Sequence, residues 1–272
     1  DVHRPVREYR PDAGGGGMSA IIREITIGDC RLVHGDCMAI LPSLQPVDAV
    51  VTDPPYQQTS LAWDIWPAGW PDAVATAIKP TGSMWCFGTL RMFTDRWTEF
   101  SGWRMAQDVI WEKHNGSSLQ NDRFRRVHEQ AVQFYRGGWS GVYKGRVVTM
   151  DATARTVRRK GRPEHWGGIA DHTFRSEDGG PRLMRSVIFA RSQHGQAIHP
   201  TQKPEAIIEP LVINSCPPGG TVLDPFGGSG TTGFVALRTG RRAIIIEARE
   251  DYFDAMVSRF RAELMFANEA TP

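Results

Sequence analysis

Val50-Val51-Thr52-Asp53-Pro54-Pro55-Tyr56 carries a β-branched run straight into an acid, two prolines and a tyrosine. With Ala49 ahead of it, the run predicts a short buried strand. The prolines end it, because they cannot donate to a ladder and they hold the chain extended. A strand apolar on both faces belongs to a parallel sheet covered by helices. A stiff polar tip at the carboxyl end of such a strand stands where open α/β sheets bind ligands.

Working outward, strands and helices alternate. Ile25–Ile27 and Arg31–His34 flank Gly28-Asp29 as a hairpin, and Met38–Leu44 reads as a short helix. Downstream, Asp72–Lys79 is helical, Pro80-Thr81-Gly82 a turn and Ser83–Phe87 a strand; Met92–Phe100 is helical again. Asp108–Trp111 and Ala131–Tyr135 are strands separated by a basic loop, Glu112–Arg126. Past residue 198 the rhythm returns. Glu205–Ser215 is a helix in which Pro210 predicts a kink or break, Thr221–Leu223 a strand, Thr231–Thr239 a helix, Arg242–Glu247 a strand and Arg249–Phe266 a long amphipathic helix. This is the pattern of a mostly parallel twisted sheet with helices on both faces.

The chain has 272 residues and a formal charge of +2, enough for one large α/β domain with an insert. Residues 1–17 end in four glycines before Met18 and are expected to be a disordered extension or expression remnant outside the fold. No signal-peptide pattern and no apolar run of membrane-spanning length is present. Four cysteines without CxxC or zinc spacing point to a reduced, cytoplasmic protein with no metal.

A second motif, Leu223-Asp224-Pro225-Phe226-Gly227-Gly228-Ser229-Gly230-Thr231, joins a strand to a helix. Its glycines let the backbone approach a ligand at the positive end of a helix. It is neither GxGxxG nor a Gly-Lys-Ser/Thr phosphate loop. Glu247 ends the next strand about twenty residues on, where an acid takes ribose hydroxyls, so a nucleoside without a required pyrophosphate fits.

Asp-Pro-Pro-Tyr, Asp-Pro-Phe-Gly-Gly-Ser-Gly and the segment His199-Pro200-Thr201-Gln202-Lys203-Pro204 together resemble the amino-methyltransferases that modify DNA from S-adenosylmethionine. The tetrapeptide precedes the glycine turn with a basic insert between them, as in the β-class, a circular permutation of the Rossmann-like class I methyltransferase fold. The resemblance covers about residues 25–260. It implies a catalytic half over 18–138, a target-recognition insert over 139–197 and a cofactor-binding half over 198–272.

The resemblance also implies roles. Asp53, Pro54, Pro55 and Tyr56 would be catalytic: a carboxylate and a backbone carbonyl accept the N–H bonds of an exocyclic amine, and the tyrosine stacks on the extruded base. S-adenosylmethionine would lie against Asp224, Phe226, Gly227, Gly228, Ser229, Gly230 and Thr231, with Asp53 beside it. Glu247 would take its ribose, and Asp36 with Cys37 would border its adenine. Thr201 and Lys203 would close over its carboxylate end. Asp36 also reads as an ordinary helix N-cap and Lys203 as a solvated lysine. His128-Glu129 and the loop carrying Thr59, Ser60, Trp63 and Asp64 read equally as structural or as target-side elements.

Trp139–Gln196 holds eleven Lys/Arg against five Asp/Glu, with Tyr143, Trp166 and Phe174 interleaved. Arg155, Arg158, Arg159, Lys160, Arg162, Arg175 and Arg182 are expected to contact double-stranded DNA. An aspartate opening the tetrapeptide goes with adenine N6 in this family. The alternatives are cytosine N4, or a catalytically inactive DNA-binding regulator on the same scaffold. Cytosine C5 chemistry needs a nucleophilic cysteine in a Pro-Cys pair, and the chain has only Cys216-Pro217. A homodimer is expected from the resemblance alone.

Overall fold

The computed structural model describes residues 6–9, 20–117, 122, 124–159, 172–192, 199 and 201–269. The chain divides into two compact units, residues 1–145 with 186–272, and residues 146–185.

In the first unit the elements run β1 (Val6–Tyr9), β2 (Ile21–Ile27), β3 (Cys30–Gly35), α1 (Cys37–Ile40), β4 (Val47–Thr52), α2 (Trp70–Ala77), β5 (Ile78–Gly88), α3 (Leu90–Arg96), β6 (Arg104–Ser117) and β7 (Arg126–Tyr135). The second unit supplies β8 (Val148–Thr149), β9 (Arg155–Arg159), β10 (His172–Ser176) and β11 (Arg182–Leu183). The first unit then resumes with β12 (Val187–Phe189), α4 (Glu205–Ser215), β13 (Thr221–Asp224), α5 (Thr231–Arg238), β14 (Arg242–Glu247) and α6 (Glu250–Glu269).

One ten-stranded sheet has the order β1-β2-β3-β14-β13-β4-β5-β7-β6-β12. The central run from β3 to β5 is parallel throughout, and β1-β2-β3 and β5-β7-β6 add antiparallel flanks. β4 and β13, far apart in sequence, are neighbours in register Ala49↔Val222 and Val50↔Leu223. On one face Val50, Leu223 and Ile246 pack with Trp70, Phe93, Phe100 and Trp103. The alternate strand residues point to the other face. There a Cβ on Gly233 of α5 would press on Ile245 and Cys30. This is the mostly parallel α/β sheet with helices that the alternating pattern predicts.

Several local expectations are corrected. Val6–Tyr9 does not lie outside the fold: it pairs antiparallel with β2. Pro80-Thr81-Gly82 is no separate turn but an irregular stretch within β5, where the pairing with β4 slips from Val47↔Ile78 to Ala49↔Ser83. Gly82 serves close approach instead, since a Cβ there would meet the Asp48 carbonyl at 2.6 Å. Much of the expected 112–126 loop is strand, as β6 extends to Ser117 and β7 begins at Arg126. Pro210 does not break α4. It removes one N–H, and burial of Ile207, Ile208, Leu211 and Val212 around it holds the helix together.

The second compact unit, 146–185, is narrower than the expected 139–197 insert. Residues 139–145 belong to the main unit, where Gly145 donates to the Asn214 carbonyl at 2.8 Å. At the other end β12 pairs in parallel with β6. Within 146–185, β9 pairs antiparallel with β10 and β8 with β11.

The glycine turn owes its shape to packing. Gly230 has φ +73° and caps α5, and a Cβ there would meet Met256 and Phe260 at 2.8 Å. Gly230→Ala is therefore expected to destabilise the protein by about 2 kcal/mol or more, read from urea denaturation midpoints at unchanged m-value.

Candidate active site

The four parallel strands β3, β14, β13 and β4 all end on an acid at the same sheet edge. These are Asp36 just past β3, Glu247, Asp224, and Asp53 just past β4. A cleft of about 1060 Å³ opens beside them. Asp36, Cys37, Phe226 and Glu247 line one part of it, and Asp53, Pro54, Pro55, Tyr56, Lys113 and Glu129 another.

Each acid is held differently. Asp36 caps α1 by accepting from the Met38 N–H at 2.9 Å. Glu247 accepts from the backbone N–H groups of Gly228 at 2.8 Å and Arg249 at 2.9 Å, while burial raises its pKa. Asp224 accepts from the hydroxyls of Thr52 and Thr232, both at 2.8 Å, and from the Phe226 N–H at 3.1 Å. Burial lifts its carboxyl to about 6 against these bonds. Asp53 accepts from the Tyr56 hydroxyl on one oxygen and the Lys203 ammonium on the other.

The Asp53 group is part of a buried charge cluster. Lys203 lies 3.3 Å from Glu129, and Lys113 ion-pairs with the other Glu129 oxygen. Burial pushes the Asp53 carboxyl up; Lys203 pulls it down and Glu129 adds to the rise. Burial disfavours charge on Lys203, but Asp53 and Glu129 outweigh it and hold its pKa above the ordinary value. Burial, with Asp53 close by, keeps Tyr56 a neutral phenol and hence a donor.

The loop after Tyr56 is closed by a carboxylate. Gln57 takes φ +58°, and Asp64 accepts the N–H groups of Gln57, Gln58 and Thr59 at 2.7–2.9 Å. Trp63 then packs at 5.3 Å from the His199 ring, which stands edge-on to Tyr252 at 4.2 Å. Burial, with Lys203 and Arg249 adding repulsion, lowers the His199 pKa to about 4, so the imidazole is neutral and accepts from the Thr201 N–H.

The expected site residues separate into groups. Asp36, Cys37, Asp53, Pro54, Pro55, Tyr56, Thr201, Lys203, Phe226 and Glu247 line the main cleft. Asp224, Gly227, Gly228, Ser229 and Thr231 border a small adjoining cavity of about 40 Å³, which Asp53, Thr201 and Lys203 also reach. Ser229 and Thr231 are turned towards Arg259, whose guanidinium donates to the Ser229 carbonyl and the Thr231 hydroxyl, both at 3.1 Å. Lys203 is not a solvated lysine: it is 7 % exposed and sits on Asp53. In the second unit Arg155, Arg158 and Arg175 are exposed, and Arg182 pairs with Asp151 at 3.0 Å. The Arg159 side chain, Lys160 and Arg162 lie outside the described residues. Trp63, from the loop read equally as structural or target-side, lines the cleft; Lys113, Arg249 and Tyr252 join it without any motif to mark them, because neighbouring strands and helices bring them there.

The cleft suits a nucleoside-bearing ligand. Gly228 has φ +50°, a left-handed conformation that favours glycine, and the turn lies against the His199 ring. Acceptors at Asp36 and Glu247 and the apolar sides of Cys37 and Phe226 share that part of the cleft.

Residues 47–258 match the family described as DNA methylase, of the N6/N4 type, and the chain belongs to that family. Its methyl donor is S-adenosylmethionine. The type II methyltransferase M2.DpnII of Streptococcus pneumoniae is 25 % identical over 264 residues, covering 85 % of this chain and 90 % of that one. Among solved structures, the M1.HpyAVI–SAM complex superposes with TM-score 0.59 at 24 % identity, covering 85 % of this chain and 99 % of that one. The cytosine-N4-specific PvuII DNA methyltransferase also gives TM-score 0.59, at 18 % identity, with coverage of 85 % and 86 %. No helix among the described residues is long and apolar enough to cross a membrane.

The Asp224 environment sets a pH test. A folded-state pKa of about 6, above the ordinary 3.8, means the fold prefers the protonated carboxyl. Its contribution is therefore full below about pH 4 and is lost as pH rises through 6. Asp224→Asn removes this slope. Relative to the variant, the wild type is expected to lose on the order of 3 kcal/mol between pH 4 and 7, measured by denaturant unfolding across that range.

Proposed function

We propose that this DNA methylase transfers a methyl group to the N6 amine of an adenine flipped out of double-stranded DNA, in the β-class, permuted arrangement. The observation that carries this reading is the half-buried Asp53 carboxylate held by Tyr56 and Lys203 at the tip of β4, facing the cleft.

S-adenosylmethionine, when bound, supplies an electrophilic sulfonium methyl. Glu247 and Asp36 would hold its hydroxyl and amine donors, and Phe226, Cys37 and the 227–230 turn would form the surface under it. Asp53 accepts one N–H of the target amine and the Pro54 carbonyl the other. This draws nitrogen electron density out of the ring and aims the lone pair. As the new N–C bond forms, the methyl–sulfur bond would break and its electron pair would stay on sulfur as a neutral thioether, and the amine must shed a proton. Asp53, whose basicity burial has raised, is the acceptor in reach. Tyr56 orients that carboxylate and offers its ring face to the base.

The exposed Arg155, Arg158 and Arg175, with Arg182, suit phosphate and guanine contacts, which supports the 146–185 unit as the target-reading part. A two-fold homodimer would match a palindromic site. A cytosine-N4 reading is the second possibility, because the PvuII enzyme has the same fold. Asp53 favours adenine, and intact Asp53, Tyr56 and glycine turn speak against an inactive regulator.

Duplex DNA incubated with enzyme and S-adenosylmethionine is expected to yield N6-methyl-2′-deoxyadenosine by nucleoside mass spectrometry. N4-methylcytosine in its place would overturn the base assignment. Asp53→Ala should lower kcat by roughly 10³-fold or more with cofactor affinity, read by calorimetry, unchanged.

A further inference from the structure

Lys203 lies between two carboxylates, Oδ2 of Asp53 and Oε2 of Glu129. Its ammonium has three N–H donors and spends them poorly. One goes to Asp53, and another makes only a 3.4 Å contact with the Thr201 carbonyl. Glu129 Oε2 is buried and has only a long 3.3 Å ion pair with Lys203, outside good hydrogen-bond geometry, while its Oε1 is taken by Lys113. Asp53, Lys203, Glu129 and Tyr56 all face the same cleft. Buried polar atoms left in this state mark a place where a polar ligand completes the bonding.

The wall therefore offers an acceptor, a donor and an acceptor in succession. Burial works against the Glu129 charge, but Lys203 and Lys113 outweigh it and hold its carboxyl down at about 2. Glu129 is accordingly an ionised, acceptor-only group at neutral pH. Its place is fixed by the sheet, since it stands on β7 opposite Trp111 of β6. Lys113, from β6, also lies over the Trp111 ring at 4.6 Å.

Adenine presents an amine, the ring acceptor N1 and a C–H along its pairing edge. Cytosine presents an amine, the ring acceptor N3 and the carbonyl O2. Guanine and thymine put a carbonyl where the amine would be, against the Asp53 carboxylate. Asp53 and Lys203 thus match the first two positions of either amino base, and the third position separates them. A C–H tolerates an anionic oxygen, whereas a carbonyl oxygen is repelled by it.

We infer that Lys203 and Glu129 read the target base: Lys203 donates to its ring nitrogen, and Glu129 excludes cytosine by opposing O2. This rests on the reading that an amino base docks at Asp53, and it gives that site its choice between adenine and cytosine.

The test uses the full-length enzyme and synthetic duplexes carrying its modified site, located by sequencing of methylated DNA, with adenine, 1-deazaadenine or cytosine at the target position. The wild type is expected to lose roughly 10- to 100-fold in kcat/KM on 1-deazaadenine, which lacks the ring acceptor. In Lys203→Met that penalty should vanish, with both duplexes methylated at one reduced rate. Persistence of the penalty would show that Lys203 does not touch the ring nitrogen. Should Lys203→Met fail to fold, Glu129→Gln decides. Its amide can donate to O2, so the preference for adenine over cytosine should fall at least roughly tenfold, and an unchanged preference overturns the inference. A wild-type enzyme that methylates cytosine and spares adenine removes the adenine reading and the Glu129 role together. One that methylates adenine but fails either variant test loses the edge reading alone.

Discussion

Asp224 ties the carboxyl edge of the sheet together. Its carboxylate bonds Thr52 at the end of β4, Thr232 in the first turn of α5 and the Phe226 N–H inside the glycine turn. Residues 172 and 8 positions away in sequence are thereby held through one side chain. The next residue after Thr52 is Asp53, so the position of Asp53 relative to the glycine turn depends on these bonds. Burying a carboxylate is costly, and three donors offset that cost only in part, since burial still holds its pKa raised. For an enzyme that brings a methyl donor and an amine into line, error in this alignment is error in the reaction distance.

The sheet edge also concentrates negative charge. Asp36, Glu247, Asp224 and Asp53 end neighbouring parallel strands, and burial raises the pKa of the last three. Backbone N–H groups serve Asp36 and Glu247, hydroxyls serve Asp224, and an ammonium serves Asp53. These differences divide the labour along one edge. Carboxylates held by backbone and placed beside the cleft retain lone pairs for a ligand, Asp224 is committed to structure, and Asp53 stays basic in a cluster that Lys203, Glu129 and Lys113 bring close to neutrality.

Strand order, which differs from chain order, explains how this edge is assembled. In the chain the tetrapeptide comes early and the glycine turn late, while in the sheet β4 and β13 are adjacent. The stretch between them in sequence leaves the sheet as the separate 146–185 unit and returns through β12.

Much of this was legible in residue order. The β-branched run into Asp53-Pro54-Pro55-Tyr56, the glycine turn and the terminal Glu247 are local signals, since strand propensity, proline geometry and glycine freedom act over a few residues. They sufficed for an α/β sheet with a ligand edge. Gly82 looked like a turn because a glycine needed for close packing and one needed for bending are the same letter, and Pro210 looked like a break because local geometry does not register the burial that holds α4. Side chains meeting across the sheet left no such signal. Lys113 and Glu129 pair because β6 and β7 run side by side, Lys203 finds both acids from a distant loop, and Arg259 reaches back over Ser229 and Thr231. Ion pairing depends on separation in space, which the backbone sets only after the sheet has closed, so the chemistry of the cleft could be named from residue types while its geometry awaited the fold.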